Sequence, residues 1–355
     1  MLRTNAVMLL TVGALLTTAC SANSGSDDEA KDDPNFKQGI YVNNHIDHPN
    51  KSFWTFLKLR WFGEEQWADY EKAADLIPKT IVDLNQLESN QSQVTWIGHS
   101  SFLLQLGSVN ILTDPVFSER ASPVSFAGPK RYTLPALMPE QLPKIDAVVI
   151  SHNHYDHLDE KSIRALGNEP MYFVPSGLKA WFIDVGIDPS RVQELRWWQK
   201  LELDGFGVTA LPSQHWSARG LGDRHKTHWA SWLINAGGKT LWFAGDTGYN
   251  DKDFVEIGNY IAKQHQQLDI ALIPIGAYGP RHFMKTYHVN TEEAVQIHRD
   301  VQARFSIGMH WGAFPLTSEW PMEPYEWLNR LRDEGKVGTY PFETLKIGET
   351  IRVQQ

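Results

Sequence analysis

Ser151-His152-Asn153-His154-Tyr155-Asp156-His157 is the stretch on which the reading of this chain turns. It has the form H-x-H-x-D-H and follows directly on the apolar run Ile145–Ile150, which is expected to be a strand buried on both faces. A buried strand delivers its C-terminal end to the functional edge of an α/β protein, where a short loop can turn several side chains inward. Imidazoles and a carboxylate packed this densely are the donors that zinc and similar ions prefer. One tetrahedral ion cannot take His152, His154, Asp156 and His157 from a single loop, so two ions are expected.

Further ligands are sought at other strand ends. His215 lies in Leu211-Pro212-Ser213-Gln214-His215-Trp216, after a predicted strand over 207–211. Asp246 lies in Ala244-Gly245-Asp246-Thr247-Gly248, after one over 240–244. His310 closes one over 304–309, in Met309-His310-Trp311-Gly312. Each alone could be a turn or cap residue. Together they supply a carboxylate to share and one more imidazole for each ion.

The set His152/His154/His215, Asp156/His157/His310 and Asp246 resembles the ligand pattern of the metallo-β-lactamase superfamily. Within it the chain looks most like the N-acyl-phosphatidylethanolamine-hydrolysing phospholipases D and their bacterial relatives. The similarity extends over most of residues 50–335. It includes Trp96-Ile97-Gly98-His99-Ser100, Leu112-Thr113-Asp114-Pro115, Gly128-Pro129-Lys130-Arg131-Tyr132, Gln214-His215-Trp216, Phe283-Met284-Lys285 and Met309-His310-Trp311-Gly312. The resemblance implies an α/β fold of the αββα sandwich type, two Zn2+ ions (other divalent transition metals being alternatives) and phosphodiester hydrolysis by a metal-bridging hydroxide. Asp156, Asp246 and His288 are then the candidates for the chemistry. Asp246 would bridge the ions, and His288 matches a position credited with protonating the leaving group or contacting the phosphate. As residues, Asp114 reads equally as an outer carboxylate orienting a ligand imidazole or as a turn before Pro115. His288 could equally cap a helix starting near Thr291. Of the remaining histidines (45, 48, 99, 225, 228, 265, 282 and 298), His99 is expected nearest the site.

The rest of the sequence frames this centre. Strands are predicted over 94–97, 102–106, 109–112, 171–174, 192–195, 229–234 and 270–273, and helices over 177–185, 253–264, 291–301 and 324–333. Strand-rich first and strand–helix–strand later, this order fits layered sheets and helices, not a helical bundle. A hydrophobic fraction of 42% with 21% charged residues belongs to a folded globular chain. A net charge of −9 excludes the phosphate backbone of nucleic acid as a partner.

Residues 1–20 read as an export signal, Arg3 followed by an apolar run from Ala6 to Leu16 that is too short to span a bilayer. It ends Leu16-Thr17-Thr18-Ala19-Cys20, on the one cysteine of the chain. That run resembles a bacterial lipobox, with Thr17 departing from the usual Leu; an ordinary cleaved signal is the alternative. The lipobox implies a periplasm-facing envelope protein held on the membrane surface through lipidated Cys20. Residues 21–38, small, polar and acidic, read as a flexible tether. Residues 39–92 read as an aromatic-rich extension packing on a hydrolase domain over 93–355. Phe53, Leu57 and Trp61 share one helical face, while Trp54, Phe56 and Phe62 leave a second apolar face for a groove or membrane.

Two other functions remain open from sequence. One is a different hydrolase on the same cage, such as a sugar-phosphate lactonase or a β-lactamase. The other is a non-catalytic envelope lipoprotein. The expected partner is a phospholipid or other phosphodiester, and a homodimer is compatible with the sequence.

Overall fold

The computed structural model of the chain describes residues 33–47, 70–88 and 91–353. The first sheet begins with β3 (Gln93–Gly98), β4 (Ser101–Leu106) and β5 (Val109–Thr113), joined antiparallel by tight turns. Side chains alternate as a strand requires. Val94, Trp96, Phe102, Leu104 and Ile111 face the central core, while Ile97, Leu103 and Leu112 face the outer helical layer. β6 (Ala147–Val149), β7 (Met171–Pro175) and β8 (Val192–Leu195) then add in parallel. The helices Glu160–Leu166 and Lys179–Asp184 provide crossovers and bury Ile163 and Phe182 against Val148, Tyr172 and Val174.

The second sheet repeats this plan. β9 (Lys200–Leu203), β10 (Phe206–Leu211), β11 (Ser231–Ala236) and β12 (Lys239–Phe243) are antiparallel. β13 (Ile270–Pro274), β14 (Ser306–Met309) and β15 (Phe342–Thr344) continue in parallel. Its outer face is covered by Asp253–Lys263, Thr291–Asp300 and Glu323–Asp333, through Phe254, Ile257, Ile261, Ala294, Ile297, Leu328 and Leu331. The last strand, β16 (Thr350–Arg352), returns to the first sheet and pairs with β3. Two seven-stranded sheets packed face to face with helices outside form the αββα sandwich.

The tryptophans weld the layers. Trp96, Trp229, Trp232 and Trp242 are fully buried, and their indole N–H groups all find acceptors. Fully burying a large apolar side chain contributes about 1.5–3 kcal/mol, provided such a polar tip is satisfied. Trp232 of the second sheet donates to the Ile150 carbonyl at 2.9 Å, fixing the point where the histidine-rich run leaves the first sheet.

Before β3 the structure departs from the sequence reading of a tether ending at residue 38. Asp33 is buried, and β1 (Phe36–Lys37) pairs with β2 (Ile40–Tyr41) in a small hairpin laid on the body. Phe36 packs on the core and Tyr41 joins it, which outweighs the polar composition around them. The expected signal, Cys20 and the aromatic stretch over 51–67 lie outside the described residues. No helix among the described residues is long and apolar enough to cross a membrane.

Candidate metal centre

The centre forms where strand ends of both sheets meet. From the first sheet come Asp114, just past β5, and the loop 152–157 after β6; from the second come His215 after β10, Asp246 after β12 and His310 after β14. Gly245 permits the meeting. It has φ +59°, and a Cβ there would lie 2.5 Å from the Ser151 Cβ, so only glycine lets the Asp246 loop close on the histidine-rich run. Asp114, His99 and His310 also hold left-handed backbone (φ +33°, +56° and +62°), which non-glycine residues adopt only where packing enforces it.

The donors fall into two sets. In one, His154 Nδ1 lies 2.8 Å from His152 Nε2 and 3.3 Å from His215 Nε2. In the other, Asp156 Oδ2 is 3.3 Å from His157 Nε2 and 3.3 Å from His310 Nε2, and those nitrogens are 3.1 Å apart. Asp246 lies between them, with Oδ2 3.2 Å from His157 Nε2 and 3.9 Å from His215 Nε2, and Oδ1 3.1 Å from His310 Nε2. Bonds of about 2.0–2.2 Å to a tetrahedral ion place neighbouring ligand atoms about 3.3–3.6 Å apart. The donor triangles are close to that size, and ring nitrogens facing one another so closely need a positive charge between them. The residues present fit two metal ions.

Outer contacts fix which nitrogen faces inward. His157 Nδ1 is 2.6 Å from Asp114 Oδ2, so its N–H donates outward and Nε2 offers a lone pair to the centre. His215 Nδ1 donates likewise to the Tyr287 carbonyl at 3.0 Å. Asp114 also accepts from the Ser151 N–H at 2.7 Å and the Ser151 hydroxyl at 2.5 Å, and that hydroxyl is 2.9 Å from His152 Nδ1. Asp114 is therefore a buried support for the histidine loop, not a mere turn residue.

Electrostatics separates the imidazoles. Burial drives His152 well below its ordinary value and takes His154, His215 and His288 to about 3. The same burial opposes charge on His157 and His310, but Asp246 and Asp156 overcome it, holding His157 well above its usual value and His310 at about 9. Burial would also raise Asp156 and Asp246; the charge on His157 reverses this and keeps both carboxyls well below the usual range. The carboxylates thus favour positive charge at His157 and His310, and a bound ion would supply that charge in place of protons.

His288 reaches the centre, its Nδ1 3.8 Å from Asp246 Oδ2 and its ring 5.1 Å from that of His215. It does not cap the helix that starts at Thr291, because Asn290 does so by accepting from the Glu293 N–H. His99 is adjacent as expected, its Nε2 3.0 Å from Asp156 Oδ2 and its carbonyl accepting from the His310 N–H. Sequence reasoning missed Arg219. Its guanidinium donates to the carbonyls of Asn153 and Leu158 at 2.8 and 2.7 Å and lies over the Tyr155 ring, bracing both ends of the histidine-rich loop. Ser151 was also passed over, although it opens the motif and precedes His152.

A sandwich of this topology, with this donor set at the shared strand ends, is suited to hold metal, and the relatives of the chain identify it as a metal-dependent hydrolase. The chain belongs to the metallo-β-lactamase superfamily, and residues 109–311 match its beta-lactamase superfamily domain. It is 42% identical over 267 residues to N-acyl-phosphatidylethanolamine-hydrolyzing phospholipase D 1 of Caenorhabditis elegans, covering 72% of this chain and 74% of that protein. It is 36% identical over 263 residues to the mitochondrial protein of that activity in Saccharomyces cerevisiae, covering 72% of this chain and 55% of that one. Igni18, a metallo hydrolase from Ignicoccus hospitalis, shares the fold with a TM-score of 0.54 and 22% identity, over 75% of this chain and 99% of that one.

Proposed function

We propose that this protein is a binuclear zinc phosphodiesterase that cleaves N-acyl-phosphatidylethanolamine as a phospholipase D, releasing N-acylethanolamine and phosphatidic acid. The observation that carries the reading is the pair of donor sets flanking Asp246, in a chain 42% identical to a protein named for that reaction. Bound metal ions would lower the pKa of a water molecule and offset the charge of the phosphoryl group. The chain's own residues do the rest. Asp246 faces both donor sets, and Asp114, Ser151 and Tyr287 hold the imidazoles in the tautomers they need. Water oxygen bonds to phosphorus while the phosphorus–oxygen bond to the N-acylethanolamine breaks. His288, kept neutral by burial at the edge of the centre, would donate its ring N–H to the departing oxygen as that oxygen takes on charge.

Support for a lipid substrate comes from exposed apolar side chains on two of the loops that carry site residues. Phe126 and Leu221 are each 81% exposed, on loops that leave the same strands as Asp114 and His215. The aromatic stretch containing Trp54 and the lipobox-like Cys20 extend the proposal to an exported, membrane-anchored envelope protein. Palmitate labelling that disappears in Cys20→Ser tests the anchor; an unlabelled wild-type protein rejects it. Trp54→Ala should weaken use of long-chain substrate roughly ten- to a hundredfold while sparing bis(p-nitrophenyl) phosphate.

The deciding experiment is hydrolysis of N-palmitoyl-phosphatidylethanolamine in 18O-labelled water by protein carrying two equivalents of zinc. Label should enter phosphatidic acid and not N-palmitoylethanolamine. Turnover of lactones or β-lactams with no phosphodiester turnover would overturn the assignment.

A further inference from the structure

His152 and His154 reach their donor set from one short loop, whereas His215 arrives alone from the second sheet. Its placement therefore fixes whether that set closes, and what holds the His215 backbone comes from far away in the chain. Asn43, buried at 7% exposure, donates from Nδ2 to the His215 carbonyl at 2.9 Å and accepts at Oδ1 from the His215 N–H at 3.1 Å. An asparagine side chain carries one donor edge and one acceptor edge, so here it pairs with both the N–H and the C=O of a single residue as a neighbouring strand would. Trp229 Nε1 bonds the same Oδ1 at 3.2 Å and the Ser213 carbonyl at 2.9 Å, tying the arm to the start of the His215 loop.

The arm bearing Asn43 is independently anchored. The Tyr41 N–H donates to the His225 carbonyl at 2.9 Å, and the Tyr41 ring stacks on His228 with centroids 4.5 Å apart. Lys226 donates to the Gly39 carbonyl at 2.9 Å, and Asn44 Nδ2 bonds Asp253 at 3.0 Å.

We infer that Asn43 is a positioning residue for the metal centre: the amino-terminal arm clamps the His215 peptide and thereby sets metal affinity at the His152/His154/His215 set. This rests on the two-ion reading above. The clamp acts on one donor set, because both bonds from the Asn43 side chain to a ligand residue fall on the backbone of His215.

The test is titration of the metal-free full chain with Co2+, followed by its visible absorption, with His215→Ala and His310→Ala identifying the two equivalents. Asn43→Ala should weaken the equivalent lost in His215→Ala by roughly ten- to a hundredfold and leave the other within a few-fold. Asn43→Asp keeps the acceptor for the His215 N–H but sets a second oxygen against the His215 carbonyl, so it should weaken the same equivalent at least as much. Asn44→Ala removes an arm contact without touching His215 and should titrate as wild type. Equal weakening of both equivalents, an unchanged Asn43→Ala titration, or the same loss in Asn44→Ala would overturn the clamp. Should Asn43→Ala not fold, Asn43→Asp against Asn44→Ala gives the same decision. If wild type takes up only one equivalent, the two-ion reading fails by itself, and the Asn43 variants still report whether the clamp governs that ion.

Discussion

Asp114 Oδ2 and His157 Nδ1 are 2.6 Å apart with neither side chain exposed to solvent, a contact closed off from water and directed along the imidazole toward the centre. The carboxylate selects the tautomer and makes the inward nitrogen a stronger donor.

Asp114→Asn should keep the fold and lower metal affinity or turnover by roughly 10–100-fold, the usual effect of removing an outer partner of a ligand histidine. Metal content after dialysis against a buffered zinc solution, measured beside kcat, checks it. Full zinc content and unchanged kcat would show that the contact is dispensable.

Asp246→Asn removes the negative charge between the donor sets and replaces one of its two oxygens with an amide nitrogen that cannot bind metal. Turnover should fall roughly 10²-fold or more, with one of two metal equivalents weakened, by the logic of metal activation of water. Activity within a few-fold of wild type would mean that Asp246 does not serve both sets.

His288→Gln tests proton delivery to the leaving group. The loss should be large, roughly 10²-fold, on a substrate with an alkoxide leaving group and small on bis(p-nitrophenyl) phosphate, whose leaving group departs without a proton. Equal losses on both would move His288 from proton donor to phosphate contact.

A pH effect is expected away from the centre. His228 is buried between the Tyr41 and Trp197 rings, with centroids at 4.5 and 4.4 Å, and burial takes it down to about 3. The unfolded chain binds that proton near pH 6.5 and the folded chain does not. Stability from this group is thus complete above about 6.5 and is lost as pH falls toward 3, roughly 2 kcal/mol of it by pH 5. His228→Phe should be less stable than wild type at pH 7.5, having lost the acceptor for the Trp229 N–H, and the gap should narrow by pH 5 in urea titrations. A gap independent of pH would contradict the assignment.

The sandwich was legible because its strands announce themselves locally. Phe102–Leu106, Val109–Leu112 and Ile270–Ile273 carry enough apolar length to be placed within a residue or two of their observed ends. β9 was missed since Lys200 and Glu202 alternate with only two leucines at an exposed sheet edge. The hairpin at Phe36 and Tyr41 is two residues per strand and owes its place to distant packing, which no local pattern encodes. The site divides the same way. The histidine-rich run declares itself by adjacency, and His215, Asp246 and His310 by their position after strands. Asn43 and His215 are 172 positions apart, and Arg219 braces carbonyls whose location only the fold reveals.

Neither donor set belongs to a single sheet. His152 and His154 hang from β6 and His215 from β10; Asp156 and His157 hang from β6 and His310 from β14. An ion in either set is therefore a rivet through the seam between the halves of the sandwich. At the opposite rim the turns carrying Gly107 and Gly237 press together so closely that a Cβ on Gly237 would lie 2.6 Å from the Gly107 nitrogen. Removing metal thus unfastens the molecule at one end while its far hinge stays shut. Amide exchange should quicken first at the strand ends near Ile150 and Met309, and last at the glycine hinge.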